Sequence, residues 1–187
     1  VEPAINLRLH GDYRWVGGWG VQIVDGHAQG STSDSKKLHD RITATGEFSV
    51  EAWVAPANVT QEGPAGIVSY SAGTTRRNFT LGQTLYTYNF LNRSTSTDLN
   101  GEPALNTADA DEDLQATLQH VVLTYDAVNG RQIYVNGEHT DDRDSVDGGL
   151  LNEWDDTYAL VLGNEVSRDR LWQGTFRFVA IQIGRAH

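Results

Sequence analysis

His120, inside "LQHVVLTYDAVNGRQIYVNGE" (residues 118–138), is a natural candidate to move a proton. A catalytic imidazole needs a nucleophile or carboxylate held beside it and access to substrate. His120 instead opens a run of β-branched and aromatic residues, which favours a scaffold role. Asp109, Asp111 and Asp113 alternate at a spacing from which side chains can converge on a hard cation such as Ca²⁺. They depart from an EF-hand loop, which needs Gly at its sixth position and Glu at its twelfth, where this chain has Leu114 and His120. A third group suits sugar recognition, which takes an aromatic ring for the C–H face and planar polar groups for the hydroxyls. Gln83, Tyr86, Tyr88, Asn92 and Arg93 offer those chemistries within ten or so residues. If Tyr86, Tyr88 and Phe90 point outward they form a stripe; if inward they are core, and Leu85 and Leu91 compete for the same burial. Trp15, Trp19 and Trp154 sit in Gly- and Asp-rich segments and are the better candidates for exposed contact, with Trp154 joining the ligand-binding candidates. Trp53 and Trp172 are expected to be structural.

The composition removes several classes of function. There is no cysteine, so disulfides, zinc–thiolate sites and thiol catalysis are out. No Gly-x-Ser-x-Gly elbow offers a serine nucleophile. A formal charge of −11 argues against nucleic acid or an anionic membrane surface as partner. No apolar run approaches the roughly 18 residues of a membrane span. Lys36 and Lys37 are the only lysines, a bias that fits a saline habitat or a GC-rich genome equally well. The absence of methionine suggests a domain excised from a longer protein.

Strands must position these residues. In "FSVEAWVA", Phe48, Val50, Ala52 and Val54 alternate with Ser49, Glu51, Trp53 and Ala55, the period of a half-buried strand. "GIVSYS", "RNFTLGQ", "TLYTYNFLNR", "HVVLTYD", "RQIYVNG", "YALVLGN" and "TFRFVAIQI" read as further strands, most separated by turn residues. An all-β sandwich follows, as one domain over residues 1–187. Val121, Leu123 and Tyr125 should face the core with Ile133 and Val135, across a four- or five-residue loop at Asn129-Gly130. Only "SDSKKLHDRI" and "DEDLQATL" suggest helix, a turn or two each. "GDYRWVGGWGVQIVDGHAQG" predicts an N-terminal strand pair crossing to the second sheet.

The His120 hairpin, the earlier "FSVEAWVAP" and the closing "LWQGTFRFVAI", with its aromatic-x-Gly, together resemble laminin-G-like (LamG) domains over residues 46 to 183. The resemblance implies a concanavalin A-like jelly-roll sandwich of two antiparallel sheets. "RNFTLGQ" and "WDDTYALVLGNE" resemble a bacterial branch found in larger exported proteins, implying an extracellular or periplasmic location. Such domains often hold a rim Ca²⁺, with Asp109, Asp111 and Asp113 as the candidate ligands here. Glucanases of this fold use Glu-x-Asp-x-x-Glu, whose nearest match, Glu153 to Tyr158, ends in Tyr where the second Glu belongs. The expectation is therefore a non-catalytic module that binds extracellular glycan and contacts neighbouring domains of its parent protein. The alternatives are a structural or protein-interaction domain without a small ligand and, less favoured, a glycoside hydrolase.

Overall fold

The computed structural model describes residues 4–184. The chain opens with a hairpin, β1 (Arg8–Val16) and β2 (Gly20–Gln29), followed by helix α1 (Thr32–Thr45). Strands β3 (Phe48–Pro56), β4 (Ala65–Gly73), β5 (Arg76–Thr84), β6 (Thr87–Asn92) and the short β7 (Leu105–Asn106) follow. The remainder is β8 (Gln119–Asp126), β9 (Gly130–Val135), the short β10 (Glu138–His139), β11 (Ala159–Leu162) and β12 (Gly174–Ile183).

All pairings are antiparallel, in the order β10-β9-β8-β3-β12-β2-β11-β4-β5-β6-β7, with β1 on β2. The two layers of the sandwich are thus continuous through β2, which pairs with β12 near its start and with β11 near its end. This is the crossing strand pair expected of the N-terminal segment. The β3–β8–β9 layer turns Phe48, Val50, Ala52, Val54, Val121, Leu123, Tyr125 and Ile133 inward, onto Val68, Tyr70, Phe79, Leu81, Tyr88 and Phe90 of the other. Phe48 stands at the centre, with ring centroids 5.3 Å from Phe79 and 5.3 Å from Trp154. Each such large apolar side chain contributes about 1.5–3 kcal/mol by burial.

Three local expectations are corrected. The segment around residue 37 is a 14-residue helix rather than a turn or two. Ser31 caps it, its Oγ accepting from Asp34 N at 3.0 Å, and Gly46 ends it at φ 74, donating to Ile42 O. Leu38, Ile42 and Ser35 are its buried side chains, and Ser35 Oγ accepts from Leu160 N, so tertiary contacts extend what the caps begin. Residues 111–118 hold turns and no helix, because Leu114 is drawn into the core and donates its N–H to Tyr86 O. The β8–β9 loop has three residues, since Asp126 pairs with Gly130. Asp126 Oδ1 accepts from Val128 N and Asn129 N, and Gly130 takes φ 69, the left-handed conformation that a tight three-residue loop requires.

Candidate functional site

The ligand stripe expected along β6 is not a surface. Tyr88 is fully buried and donates its hydroxyl to Gln119 Oε1 at 2.8 Å, and burial pushes its phenol pKa up. Gln83 is fully buried: it accepts from the Trp172 indole at 2.8 Å and donates to the carbonyls of Asn58 and Leu85. Asn92 lies inside as well, and Trp154 packs on Phe48 and Phe79 while its indole donates to Arg93 O. Gln83, Tyr88, Asn92 and Trp154 are therefore interior residues, a correction to their place among the ligand contacts. The cause is their side of the sheet: the β5–β6 register puts Gln83, Tyr88 and Asn92 on the face of Phe79, Leu81 and Phe90, which turns into the core, and the outer side is covered as well, through contacts such as Asn78–Asp155 and Asn89–Asn106. Tyr86 stays 37% exposed and Arg93 half-buried, but they flank β6 at opposite ends, roughly 20 Å apart at 3.3 Å per residue. They cannot grip one sugar.

Among the described residues Asp109, Asp111 and Asp113 belong to no group of three or more His, Asp or Glu side chains that could hold a metal ion. Asp113 leans instead towards Asp142, and each has a buried Oδ2 without a partner. Burial, then the charges of Asp142 and Asp111, raise the Asp113 pKa. A carboxyl whose folded pKa exceeds its unfolded value lowers stability above that unfolded value, and acidification relieves the penalty. Asp113→Asn is expected to raise the melting temperature at pH 7, with the difference from wild type vanishing as the pH falls below 3.8, the ordinary value. Thermal melts from pH 7 to 3.5 check this; an unchanged or lowered melting temperature at pH 7 contradicts it.

The face that does offer recognition chemistry is the outer side of β12, β3 and β8. Because Val50, Ala52 and Val54 point inward, Glu51 and Trp53 point out; Val121 and Leu123 likewise put His120 and Val122 outside. In β12 a bulge between Phe176 and Phe178 shifts the alternation, so that Phe178 lies beside Trp53. The register thus aligns Phe178, Trp53 and His120 across three strands, a row spanning about 10 Å at the usual strand spacing. Trp53 is 40% and Phe178 48% exposed. The His120 ring stacks on Trp53 at 4.8 Å and 26°. One rung along, Glu51 Oε1 lies 2.9 Å from His120 Nε2, and Glu51 Oε2 accepts from Gln182 Nε2 at 3.3 Å. An apolar ring bordered by oriented carboxylate, imidazole and amide groups is the surface a sugar ring requires. Outward alternation in β3 and β8 already marked Trp53, Glu51 and His120; the bulge that brings Phe178 to them had no sequence signal.

A laminin-G-type family model, described as the concanavalin A-like lectin/glucanases superfamily, matches residues 29–183. The chain belongs to that superfamily. A search of curated proteins returns no sequence match. Among solved structures, a receptor-binding domain superposes with a TM-score of 0.69 at 13% identity, over 97% of this chain and 43% of its own. The binding domain of botulinum neurotoxin DC in complex with rat synaptotagmin II gives 0.67 at 12%, covering 98% and 44%. The same binding domain in complex with SialylT gives 0.65 at 12%, again covering 98% and 44%. These likenesses show the fold, and the chain spans less than half the length of each of these neighbours.

Glycoside cleavage, as in the glucanases of this superfamily, calls for two carboxyl groups about 5–9.5 Å apart across the scissile bond. On the β12–β3–β8 face Glu51 is flanked by Ala180 and Val122 in register, and its partners are an imidazole and an amide. The Glu153–Tyr158 stretch is spent on structure: Asp155 Oδ1 accepts from Thr157, and Asp156 pairs with Lys36 at 2.7 Å.

Proposed function

We propose that the chain is a non-catalytic binding module of an exported protein, recognising extracellular glycan on the outer face of β12, β3 and β8. One observation carries the reading: the half-exposed Trp53 ring, braced by His120 and beside Phe178, borders the Glu51–His120–Gln182 hydrogen-bonded group. Trp53 stacks on the C–H face of a sugar, while Glu51 accepts from hydroxyls and the Gln182 amide donates to them. His120 positions Glu51 and limits the entropy lost on binding. Among the described residues the groups bonded to Glu51 are an imidazole and an amide, which supports recognition without turnover. Structural neighbours solved with SialylT, or linked to ganglioside molecules, support sugar as the ligand class.

A glycan array probed with wild type and Trp53→Ala tests the proposal. Wild type is expected to select a family of glycans, and the variant to lose about tenfold or more in affinity with its fold unchanged, since aromatic anchors carry most of the energy of such contacts. Binding that survives the substitution, or hydrolysis of the bound glycan, contradicts it.

A further inference from the structure

The outer surface that carries Trp53 continues past β8. The β3–β8 register sets Glu51 opposite Val122 and the β8–β9 register sets Val122 opposite Tyr134, so Glu51, Val122 and Tyr134 form one row across three strands. Val121 and Val135, paired beside them, turn into the core, so Tyr134 turns outward with Val122 and Glu51. The row runs on to β10, where His139 pairs with Tyr134.

Around Tyr134 the chemistry found at Trp53 recurs. At the first station the Trp53 ring lies on His120, whose Nε2 is 2.9 Å from Glu51 Oε1, and Glu51 Oε2 accepts from the Gln182 amide. At the second, the half-buried Tyr134 ring meets the His139 ring at 5.1 Å and 63°, and Asp141 Oδ1 lies 3.1 Å from His139 Nδ1. The Tyr134 hydroxyl donates to Gln132 Oε1 at 3.0 Å. Each station thus joins an aromatic ring, an imidazole against it, a carboxylate beside that imidazole and a glutamine amide. Val122 lies between the two. Two strand spacings and two residues of rise separate Trp53 from Tyr134, about 12 Å between their backbones. That separation is close to the length of two linked pyranoses, so a sugar chain reaches both rings whereas a single sugar reaches only one.

Given the Trp53 face as the glycan site, we infer that its ligand is an extended, neutral oligosaccharide longer than a disaccharide, which crosses the strands from Trp53 to Tyr134. Each aromatic ring takes the C–H face of one sugar, and the second contact forms at high effective concentration once the first is made. Glu51 and Asp141 accept from sugar hydroxyls and repel an acidic sugar.

Isothermal titration calorimetry of the whole chain with cello-, N-acetylchito-, xylo- and manno-oligosaccharides, each as a ladder from mono- to hexasaccharide, tests this. In at least one ladder affinity should rise about tenfold or more between the disaccharide and the tetrasaccharide. Tyr134→Ala should remove that rise and leave the disaccharide affinity unchanged, whereas Tyr134→Phe, which keeps the ring, should retain it. Trp53→Ala should weaken binding at every length. A ladder that binds through Trp53 equally tightly at each length, or with a rise that Tyr134→Ala leaves intact, overturns the inference and leaves the Trp53 site standing. Binding that survives Trp53→Ala overturns both. No binding to any ladder, or sedimentation showing a dimer that closes this face, overturns the inference.

Discussion

Replacing Arg77 with alanine should destabilise the fold by about 3–5 kcal/mol, as expected when one partner of a buried ion pair is removed. Arg77 is 1% exposed, and its Nη1 lies 2.6 Å from Oε1 of the fully buried Glu165. The same guanidinium donates to Thr80 Oγ1, Asn100 Oδ1 and Thr74 O, tying β5 to the loops that cover it. Burial pushes the Glu165 carboxyl up, and Arg77 is the largest influence pulling it back. Without Arg77 the carboxyl would bind its proton still more tightly in the fold, so the defect should be largest at neutral pH and shrink on acidification. Urea denaturation at pH 7 and pH 5 reads both effects. Arg77→Met with Glu165→Leu should recover part of the loss, because apolar replacement removes both desolvation costs. A loss under about 1 kcal/mol for Arg77→Ala at pH 7 would refute the assignment.

Trp172→Ala is expected to cost a similar 3–5 kcal/mol, the usual range for truncating a buried aromatic ring. Trp172 is fully buried, 4.9 Å from Phe176 between centroids, and its indole donates to Gln83 Oε1. The ring also lies against Gly174, where an added Cβ would come within 2.2 Å of the indole. That contact gives the aromatic-x-Gly of the closing strand its physical reason. Gln83→Ala should also be measurably destabilising, by about 1–3 kcal/mol, because it strands the Trp172 N–H in the interior. Thermal and urea melts of these two variants check the reading; wild-type stability for Gln83→Ala would return Gln83 to the surface.

The sandwich was legible because burial on one side of a strand writes itself as period two. Phe48, Val50, Ala52 and Val54 announce an inward face, as do Val121, Leu123 and Tyr125. Periodicity fails where both sides are covered. Every residue of β6 is buried, so Tyr88 and Asn92 carried no mark separating a ligand from a structural partner. The covering segments come from residues 93–118, 150–158 and 163–173, whose contacts with β5 and β6 are non-local and invisible to a window. Helix α1 was underestimated although its cap signals, Ser31 with Asp34 and the later Gly46, stand in the chain. Trp15 and Trp19 are exposed as their glycine-rich setting implied, whereas Trp154, in a similar setting, is held inside by Phe48 and Phe79. Trp53 and His120 pointed away from the core by register alone. Trp53, expected to be structural, is 40% exposed because among the described residues no further layer covers the outer side of β3.

The chain has five tryptophans, and each indole N–H gives a separate signal in a nitrogen–proton correlation spectrum of labelled protein. Titrating a glycan selected on the array while following those signals tests the central claim most directly. Trp53 should shift in step with saturation, while the buried Trp154 and Trp172 stay in place. A glycan that moves only Trp15 and Trp19, or that saturates the protein without moving Trp53, contradicts the account.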